Sequence, residues 1–373
     1  QQLYLESNMS VSLFILPTLA LVVGMSTAAG STKPLTVIVC AEDAPPNVKL
    51  AAKEIRRYVY LRTNTLLPIA ESSEDFAIVL KTDEGLEQQQ YNLKTIGDTL
   101  TITGGSDVAV LYGAYAFAEK LGVRFYLHGD VVPDSKIALA IPQLDETHKP
   151  LFTLRGVNPW GSHPFGFDAW NTDDCKAILT QLAKMRMNFL GLHCYPDGHP
   201  YAEPTVWHGL PGDFDERGRV NVSYPANYYN TLLRNQWRMI LPKKTSAYSF
   251  GGSLLFERDD WAPEVMRSYC PAPETPEACN DVFNHMAAQF RDAFGWAQRL
   301  GVKTCIGTQA PLTIPKVLHQ RLRAQGKYPD DPAVRREIYE GTFRRIMASH
   351  PLDYYWLWTS EDWTWKGNIP EEY

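Results

Sequence analysis

Apolar and polar positions between residues 35 and 126 follow the periods of short strands and of two helices. Apolar residues recur at helical spacing over 48–61, with charged residues between them, so this segment is predicted to be an amphipathic helix. A second helix is predicted over 108–121, which Gly122 ends. Five short apolar runs indicate strands, at 35–40, 76–80, 91–96, 99–103 and 123–126. The order β-α-β-β-β-α-β is typical of a small α+β domain.

A different pattern begins near residue 151, after a predicted linker over 137–150. Short apolar strands now alternate with longer helices, which indicates βα units around a parallel sheet. Strands are predicted at 153–158, 189–193, 247–250, 302–307 and 354–359. Helices are predicted at 172–187, 226–241, 281–300 and 332–348. The chain is therefore expected to hold an α+β domain over 31–150 and an α/β domain over 151–373.

The first thirty residues have the pattern of a leader. Residues 11–25 are apolar and small residues follow at 26–30, which is typical of a secretory signal peptide. The apolar run is shorter than the roughly 20 residues of a membrane span. No basic residue precedes it, so a buried apolar segment is the alternative. Residues 1–9 resemble a vector-derived leader. We expect a secreted or periplasmic protein with no stable membrane span.

Composition narrows the class of protein. The chain has 373 residues, 45% of them hydrophobic and 21% charged, which is typical of a globular protein. A net charge of −6 gives no support to nucleic-acid binding, which favours a basic patch. The six cysteines show no spacing typical of a metal site. Cys270 and Cys279 flank a proline-rich loop, where they form either a disulfide in an exported protein or two free thiols.

Three segments carry family motifs. The first, GGSDVAVLYGAYAFAEKLGVRFY at 104–126, resembles the non-catalytic N-terminal domain that precedes the barrel in α-glucuronidases and β-hexosaminidases. The second, FTLRGVNPWG at 152–161, is similar to their first barrel strand, and KMRMNFLGLHCYP at 184–196 is similar to the next helix end and second strand. The resemblance is strongest to the α-glucuronidase-like group.

This resemblance implies a fold and an activity. The expected fold is an α+β N-terminal domain followed by an α/β (β/α)8-type barrel, and the expected activity is hydrolysis of a glycosidic bond. A complete barrel needs about 250 residues, whereas 151–373 contain only five predicted strands. We therefore expect the barrel to be incomplete in this chain. In such barrels the site lies at the C-terminal ends of the strands.

The strongest candidate for catalysis follows the last predicted strand. Glu361 and Asp362 come directly after the aromatic run at 354–358, among the indoles of Trp358 and Trp363. Glycosidic cleavage needs a proton donor and a second carboxylate, and packing against indoles raises the pKa of a carboxyl group. We expect Glu361 to be the general acid and Asp362 to orient it or a substrate group. The alternative is that Asp362 caps a helix and Glu361 lies on the surface.

Two further clusters are candidates for substrate binding. The second barrel strand ends in polar and aromatic residues, and so does the loop after it. The first-strand segment offers similar groups, including an arginine that pairs with a carboxylate of either substrate or protein. The predicted contacts are His193, Tyr195, Glu203 and Trp207 in the first cluster, Arg155, Trp160 and His163 in the second, and Trp358 and Trp363 beside the carboxylates. A structural role for the histidine and the arginine is the alternative.

The sequence therefore predicts a glycosidase that acts on a poly- or oligosaccharide, with a uronic acid in the substrate if the closest resemblance holds. No cofactor and no metal are expected, and the partner is a carbohydrate rather than a nucleic acid. Two other classes remain open. One is a carbohydrate-binding protein without catalysis, and the other is a structural module of the cell surface.

Overall fold

Two β-sheets form the framework of the chain in the computed structural model, which describes residues 36–73, 77–159, 167, 170–196, 202–226 and 273–359. The first sheet contains strands β1 to β5 and β8, in the order β2-β1-β3-β5-β4-β8. Their bounds are β1 Val37–Val39, β2 Ile69–Ala70, β3 Ala77–Thr82, β4 Tyr91–Ile96, β5 Thr99–Gly104 and β8 Asp145–His148. The first four strands in that order are parallel, and β4 and β8 are antiparallel to their neighbours.

Two helices, α1 (Pro46–Thr63) and α2 (Asp107–Lys120), pack on this sheet and against each other. Ser106 caps α2 by accepting the Ala109 backbone N–H at 3.2 Å. Gly113 brings α2 close to the sheet, since a Cβ there would lie 2.5 Å from Ile102 Cγ2. Gly113 follows Tyr112 in the family motif at 104–126, and this glycine therefore has a packing role.

The predicted linker over 137–150 contains a strand. β8 (Asp145–His148) pairs with β4 and forms the edge of the first sheet. Its sequence, DETH, is polar and carries no apolar alternation, so its extended backbone depends on pairing with a neighbour. A short separate hairpin is formed by β6 (Arg124–Tyr126) and β7 (Gly129–Val131).

The second sheet consists of four parallel strands in the order β12-β11-β10-β9. The strands are β9 (Gly156–Val157), β10 (Phe189–Cys194), β11 (Lys303–Ala310) and β12 (Tyr354–Thr359). All four were predicted. They form an open sheet, and no closed barrel is present among the described residues. The predicted strand at 247–250 lies outside them, as does the predicted helix at 226–241 apart from its first residue, Ala226.

Helices separate the strands of the second sheet, as expected for βα units. They are α3 (Thr172–Lys184), α4 (Pro276–Arg299), α5 (Lys316–Ala324) and α6 (Pro332–Ser349). The helices α3, α4 and α6 were predicted, whereas the short α5 was not. Asn171 begins α3 with a capping box that involves Asp174. Cys279, near the start of α4, is a free, buried thiol, which fits the free-thiol alternative, and Cys270 lies outside the described residues.

One hydrophobic core connects the two sheets, because its buried residues come from α1, α2, α3, β10 and α4. A polar contact accompanies it. Lys184 Nζ, at the end of α3, lies 2.9 and 2.8 Å from the two carboxylate oxygens of Asp130 on β7. Tyr58 of α1 donates its hydroxyl to the same carboxylate at 2.7 Å. These contacts join helices α1 and α3 through the β6–β7 hairpin.

Candidate functional site at the sheet edge

The four parallel strands of the second sheet end at a common edge, which we call the C-terminal edge. At this edge β10 ends in His193 and Cys194, and β12 ends in Trp358 and Thr359. The segments that follow parallel strands of a βα domain meet at such an edge, which is where this class of fold places its sites.

An aromatic cluster lies at the C-terminal edge. The imidazole of His193 stacks on the indole of Trp358, with ring centroids 3.9 Å apart and planes inclined by 23°. The Tyr195 ring stands edge-on to both, at 4.4 Å from His193 and 6.1 Å from Trp358. The structure thus brings Trp358 together with His193 and Tyr195, which the sequence placed on a different segment.

A glycine on the intervening strand makes room for these rings. Gly307 of β11 is in register with His193 on one side and Trp356 on the other. A Cβ at Gly307 would lie 1.1 Å from Trp356 Cδ1, so the indole of Trp356 occupies the space of the missing side chain. Trp356 in turn lies 5.3 Å from Trp358, centroid to centroid. The absence of a side chain at Gly307 therefore lets the Trp356 indole lie over β11, beside Trp358.

Exposure assigns different roles to the members of the cluster. His193 is only 5% exposed, so it supports the indole of Trp358 from beneath. Trp358 and Tyr195 are half-buried, and Trp356 is 39% exposed. The accessible aromatic surface at this edge therefore comes from Trp356, Trp358 and Tyr195, while His193 is a positioning residue.

Glu203 also has a positioning role. Its side chain is buried, and its Oε2 accepts the backbone N–H of Tyr195 at 2.7 Å. Cys194 Sγ lies 3.9 Å from the Glu203 backbone carbonyl oxygen, to which it donates. The carboxylate therefore holds the loop after β10 against the end of the strand and fixes the orientation of Tyr195.

Arg155 lies at the opposite edge of the sheet, just before β9. Its Nε and Nη2 donate to the Arg186 carbonyl at 3.1 and 2.7 Å, and its Nη1 donates to Gln89 Oε1 at 2.7 Å and to the Phe152 carbonyl at 2.6 Å. The Arg155 backbone N–H is bound by Asn188 Oδ1 at 2.9 Å. Contrary to the substrate contact predicted from sequence, the guanidinium is engaged by the protein's own oxygens, which favours a structural role.

Trp207 is a core residue, since it is 1% exposed. Its indole N–H donates to the Val222 carbonyl at 3.2 Å, and its ring meets Phe214 edge-on at 5.8 Å. The neighbouring His208 is equally buried, and burial lowers the pKa of its imidazole to about 3. This environment favours a structural role for Trp207 over the predicted sugar contact.

Five predicted site residues lie outside the described residues, namely Trp160, His163, Glu361, Asp362 and Trp363. The strand that precedes the two carboxylates is described, and it ends at Thr359 as predicted. Glu361 is thus the second residue after the end of β12 in the sequence. The catalytic role of Glu361 and Asp362 stays a prediction.

The sequence-based prediction missed Gln309. This half-buried residue of β11 is in register with Trp358, and paired residues of a sheet present their side chains on the same face. Gln309 therefore offers an amide beside the indole. The predicted strand ended at residue 307, and extending it through Thr308, Gln309 and Ala310 would have placed this polar residue at the strand end.

Among the described residues, no group of three or more His, Cys, Asp and Glu side chains is arranged to hold a metal ion. Within the same ranges, none of the helices combines the length and the apolar composition needed to cross a membrane. The described polar and aromatic groups of the site are rings, an amide and a carboxylate.

No protein-family model matches the chain, and no curated protein matches it. Solved structures do match it. A GH20 β-N-acetylhexosaminidase from Streptomyces coelicolor A3(2) shares 13% identity and a TM-score of 0.48 over 86% of this chain. A GH138 enzyme targeting pectin rhamnogalacturonan II shares 12% identity and a TM-score of 0.44 over 81%. A GH115 4-O-methyl-α-glucuronidase with specificity for decorated arabinogalactans shares 16% identity and a TM-score of 0.37 over 44%.

These three solved proteins are glycoside hydrolases, the class that the sequence motifs resemble. The chain spans 54%, 35% and 25% of their respective lengths. Because every TM-score is below 0.5, the function proposed for this chain rests on its own residues and on their geometry.

Proposed function

We propose that the chain is part of a glycoside hydrolase that acts on a poly- or oligosaccharide, with its site at the C-terminal edge of the second sheet. The observation that carries the proposal is the stack of His193 on Trp358, with Tyr195 beside it, at the strand end that leads directly to Glu361 and Asp362. Binding sites for small molecules combine aromatic walls with a few polar groups. The predicted leader at 11–25 supports action outside the cytoplasm.

The proposed chemistry uses the two carboxyl groups after β12. Glu361 donates a proton to the leaving glycosidic oxygen, as glycoside hydrolases require of one carboxylic acid. Desolvation by neighbouring indoles favours the protonated acid, because burial raises the pKa of a carboxyl group. Asp362 orients Glu361 or a substrate group. The half-buried Trp358 and Tyr195 stack against the apolar faces of the sugar rings.

The finer proposal is that the substrate contains a uronic acid, which the α-glucuronidase-like motifs support. A uronate needs a cationic partner, and arginine suits it best because its planar fork binds a carboxylate through two hydrogen bonds. Arg155 is engaged by protein oxygens at the other edge of the sheet, so the uronate is expected to meet a different cation.

The variant Glu361→Gln tests the proposal. We expect turnover of aryl glycosides and oligosaccharides to fall at least about 1,000-fold, because an amide cannot donate the proton, while binding of the substrate changes less than about threefold. Product analysis by reducing-end release measures the first quantity, and calorimetry measures the second. Unchanged turnover across a panel of glycosides would contradict the assignment of Glu361.

A carbohydrate-binding protein without catalysis is the alternative, because the same aromatic surface suits binding alone. A glycan array combined with product analysis of the bound glycans separates the two. Binding with release of reducing ends supports the hydrolase. Binding without release, from the wild-type chain, supports the alternative.

A further inference from the structure

A polar pocket of about 380 Å³ lies between a tight turn at 214–220 and helix α4. It shares no residue with the aromatic cluster at the C-terminal edge. Its lining contains three arginines, Arg217 and Arg219 from the turn and Arg291 from α4, together with the carboxylates of Asp215 and Asp281. His285, one helical turn after Asp281 on the exposed side of α4, also lines it.

The turn is rigid because its own hydrogen bonds close it. Phe214 and Val220 form an antiparallel bridge, and Gly218 adopts a left-handed conformation with φ of 72°. Asp215 Oδ1 accepts the backbone N–H groups of Arg217 and Arg219, each at 2.9 Å. The carboxylate of Asp215 is thus used to shape the turn.

Helix α6 holds the turn and Arg291 in place together. Arg345 Nε donates to the Gly218 carbonyl at 3.2 Å, and a Cβ on Gly218 would lie 2.7 Å from Ser349 Cβ. Arg291 Nε donates to the Ser349 carbonyl at 2.7 Å. Both walls of the pocket therefore rest on the same part of α6, which fixes the backbone of the turn relative to Arg291.

The three guanidinium groups of the pocket make no ion pair within the described part of the chain. Arg321, on α5, differs in this respect, because it binds Asp213 through two hydrogen bonds. Arginine forks without an ion-pair partner are suited to a carboxylate, phosphate or sulfate group. The three arginines outnumber the two aspartates of the lining, so the pocket is net basic and suits an anion.

We propose that this pocket binds an anionic group of a polysaccharide, a carboxylate or a sulfate ester, away from the aromatic cluster. The assignment to a polysaccharide rests on the proposed function. Since the whole chain carries a net charge of −6, its average field repels polyanions. Binding of an acidic polysaccharide therefore requires a local basic site, and these arginines provide one.

The proposal is tested by affinity electrophoresis of the full chain through gels that contain polygalacturonate, dextran sulfate or neutral dextran. We expect the acidic polymers, and not dextran, to retard the protein, and salt to weaken the retardation. If polygalacturonate alone retards the protein, the group bound in the pocket is a carboxylate. If dextran sulfate alone retards it, the bound group is a sulfate ester. Equal mobility in all three gels would overturn the proposal.

Variants locate the binding. The double substitution Arg217→Gln/Arg219→Gln is expected to weaken the apparent affinity at least about tenfold. The control Arg323→Gln/Arg336→Gln removes the same charge from exposed positions on α5 and α6 and is expected to change it less than about twofold. An equal loss in both variants would show a non-specific charge effect and overturn the site. Thermal unfolding checks that both variants fold.

The result is independent of catalysis, because electrophoresis measures retention without turnover. A chain that acidic polymers retard but that cleaves no glycan contradicts the proposed hydrolase and leaves the anion site in place. A chain that cleaves glycans and is not retarded contradicts the anion site alone.

Discussion

The two edges of the second sheet use polar side chains in different ways. At the edge where the strands begin, the side chains of Arg155 and Asn188 donate to backbone carbonyls, and Asn188 Oδ1 accepts the backbone N–H of Arg155. At the edge where the strands end, His193, Trp358 and Tyr195 form an aromatic cluster with half-exposed members. The first edge satisfies its polar groups within the chain, whereas the second presents ring surface to its surroundings.

The difference teaches how to weigh polar residues in a βα sequence. A polar residue that precedes a strand lies at the edge that serves stability, and one that follows a strand lies at the edge that serves function. Arg155 and His193 were both predicted to bind substrate, but only His193 lies at the C-terminal edge, where it supports Trp358. The predictions below test this division.

The largest effect is expected on stability, from Arg155→Ala. This substitution removes five hydrogen bonds of the guanidinium and leaves the Arg186 carbonyl without its donor. We expect the free energy of unfolding to fall by about 3 kcal/mol, measured by urea denaturation, with saccharide affinity unchanged. Arg323→Ala, on an exposed part of α5, is the control and should cost less than about 0.5 kcal/mol. Weaker saccharide binding at full stability would place Arg155 in the site.

A smaller effect is expected from pH, through His350 just before β12. Burial, and then the positive charges of Arg345 and Arg291, lower the pKa of His350 to about 3. The unfolded chain protonates this imidazole as the pH falls below about 6.5, while the folded chain stays neutral down to about pH 3. Stability is therefore complete above pH 6.5 and falls between pH 6.5 and 3, by about 2 kcal/mol at pH 5 from this group.

The variant His350→Gln isolates this contribution. We expect the loss of unfolding free energy between pH 8 and pH 5 to shrink by about 2 kcal/mol in the variant, as measured by urea denaturation at both values. His128→Gln, at an exposed position, is the control and should keep the full pH dependence of the wild type. If both variants lost stability in parallel with the wild type, the burial of His350 would not be the cause.

The sequence pattern predicted the elements in which apolar residues recur at the spacing of a strand or a helix. The run YYWLWT of β12 and the period of α6 needed no tertiary information, and both were predicted almost to the residue. β8 was missed because DETH has no apolar face and is extended through pairing with β4. α5 was missed because only Leu318 and Leu322 of its residues are buried.

The candidate site was predictable only in part. Strand ends locate His193 and Trp358, but the stack between them depends on the register of both strands with β11, which no local pattern shows. Trp207 was assigned to the site because it follows β10, yet it belongs to a second core formed with α4, α5 and α6. A single sequence gives the composition of a loop and not the side on which each residue is buried.

The most direct test of the central claim compares two substitutions on one strand. Trp358→Ala removes the half-buried indole at the C-terminal edge, and Tyr354→Ala removes a ring that is 45% exposed at the other end of β12. Affinity for oligosaccharides identified on a glycan array is measured by calorimetry for both variants. The account predicts at least tenfold weaker binding, about 1.4 kcal/mol, for Trp358→Ala and less than about twofold for Tyr354→Ala. Equal losses, or a larger loss for Tyr354→Ala, would contradict a carbohydrate site at the C-terminal edge.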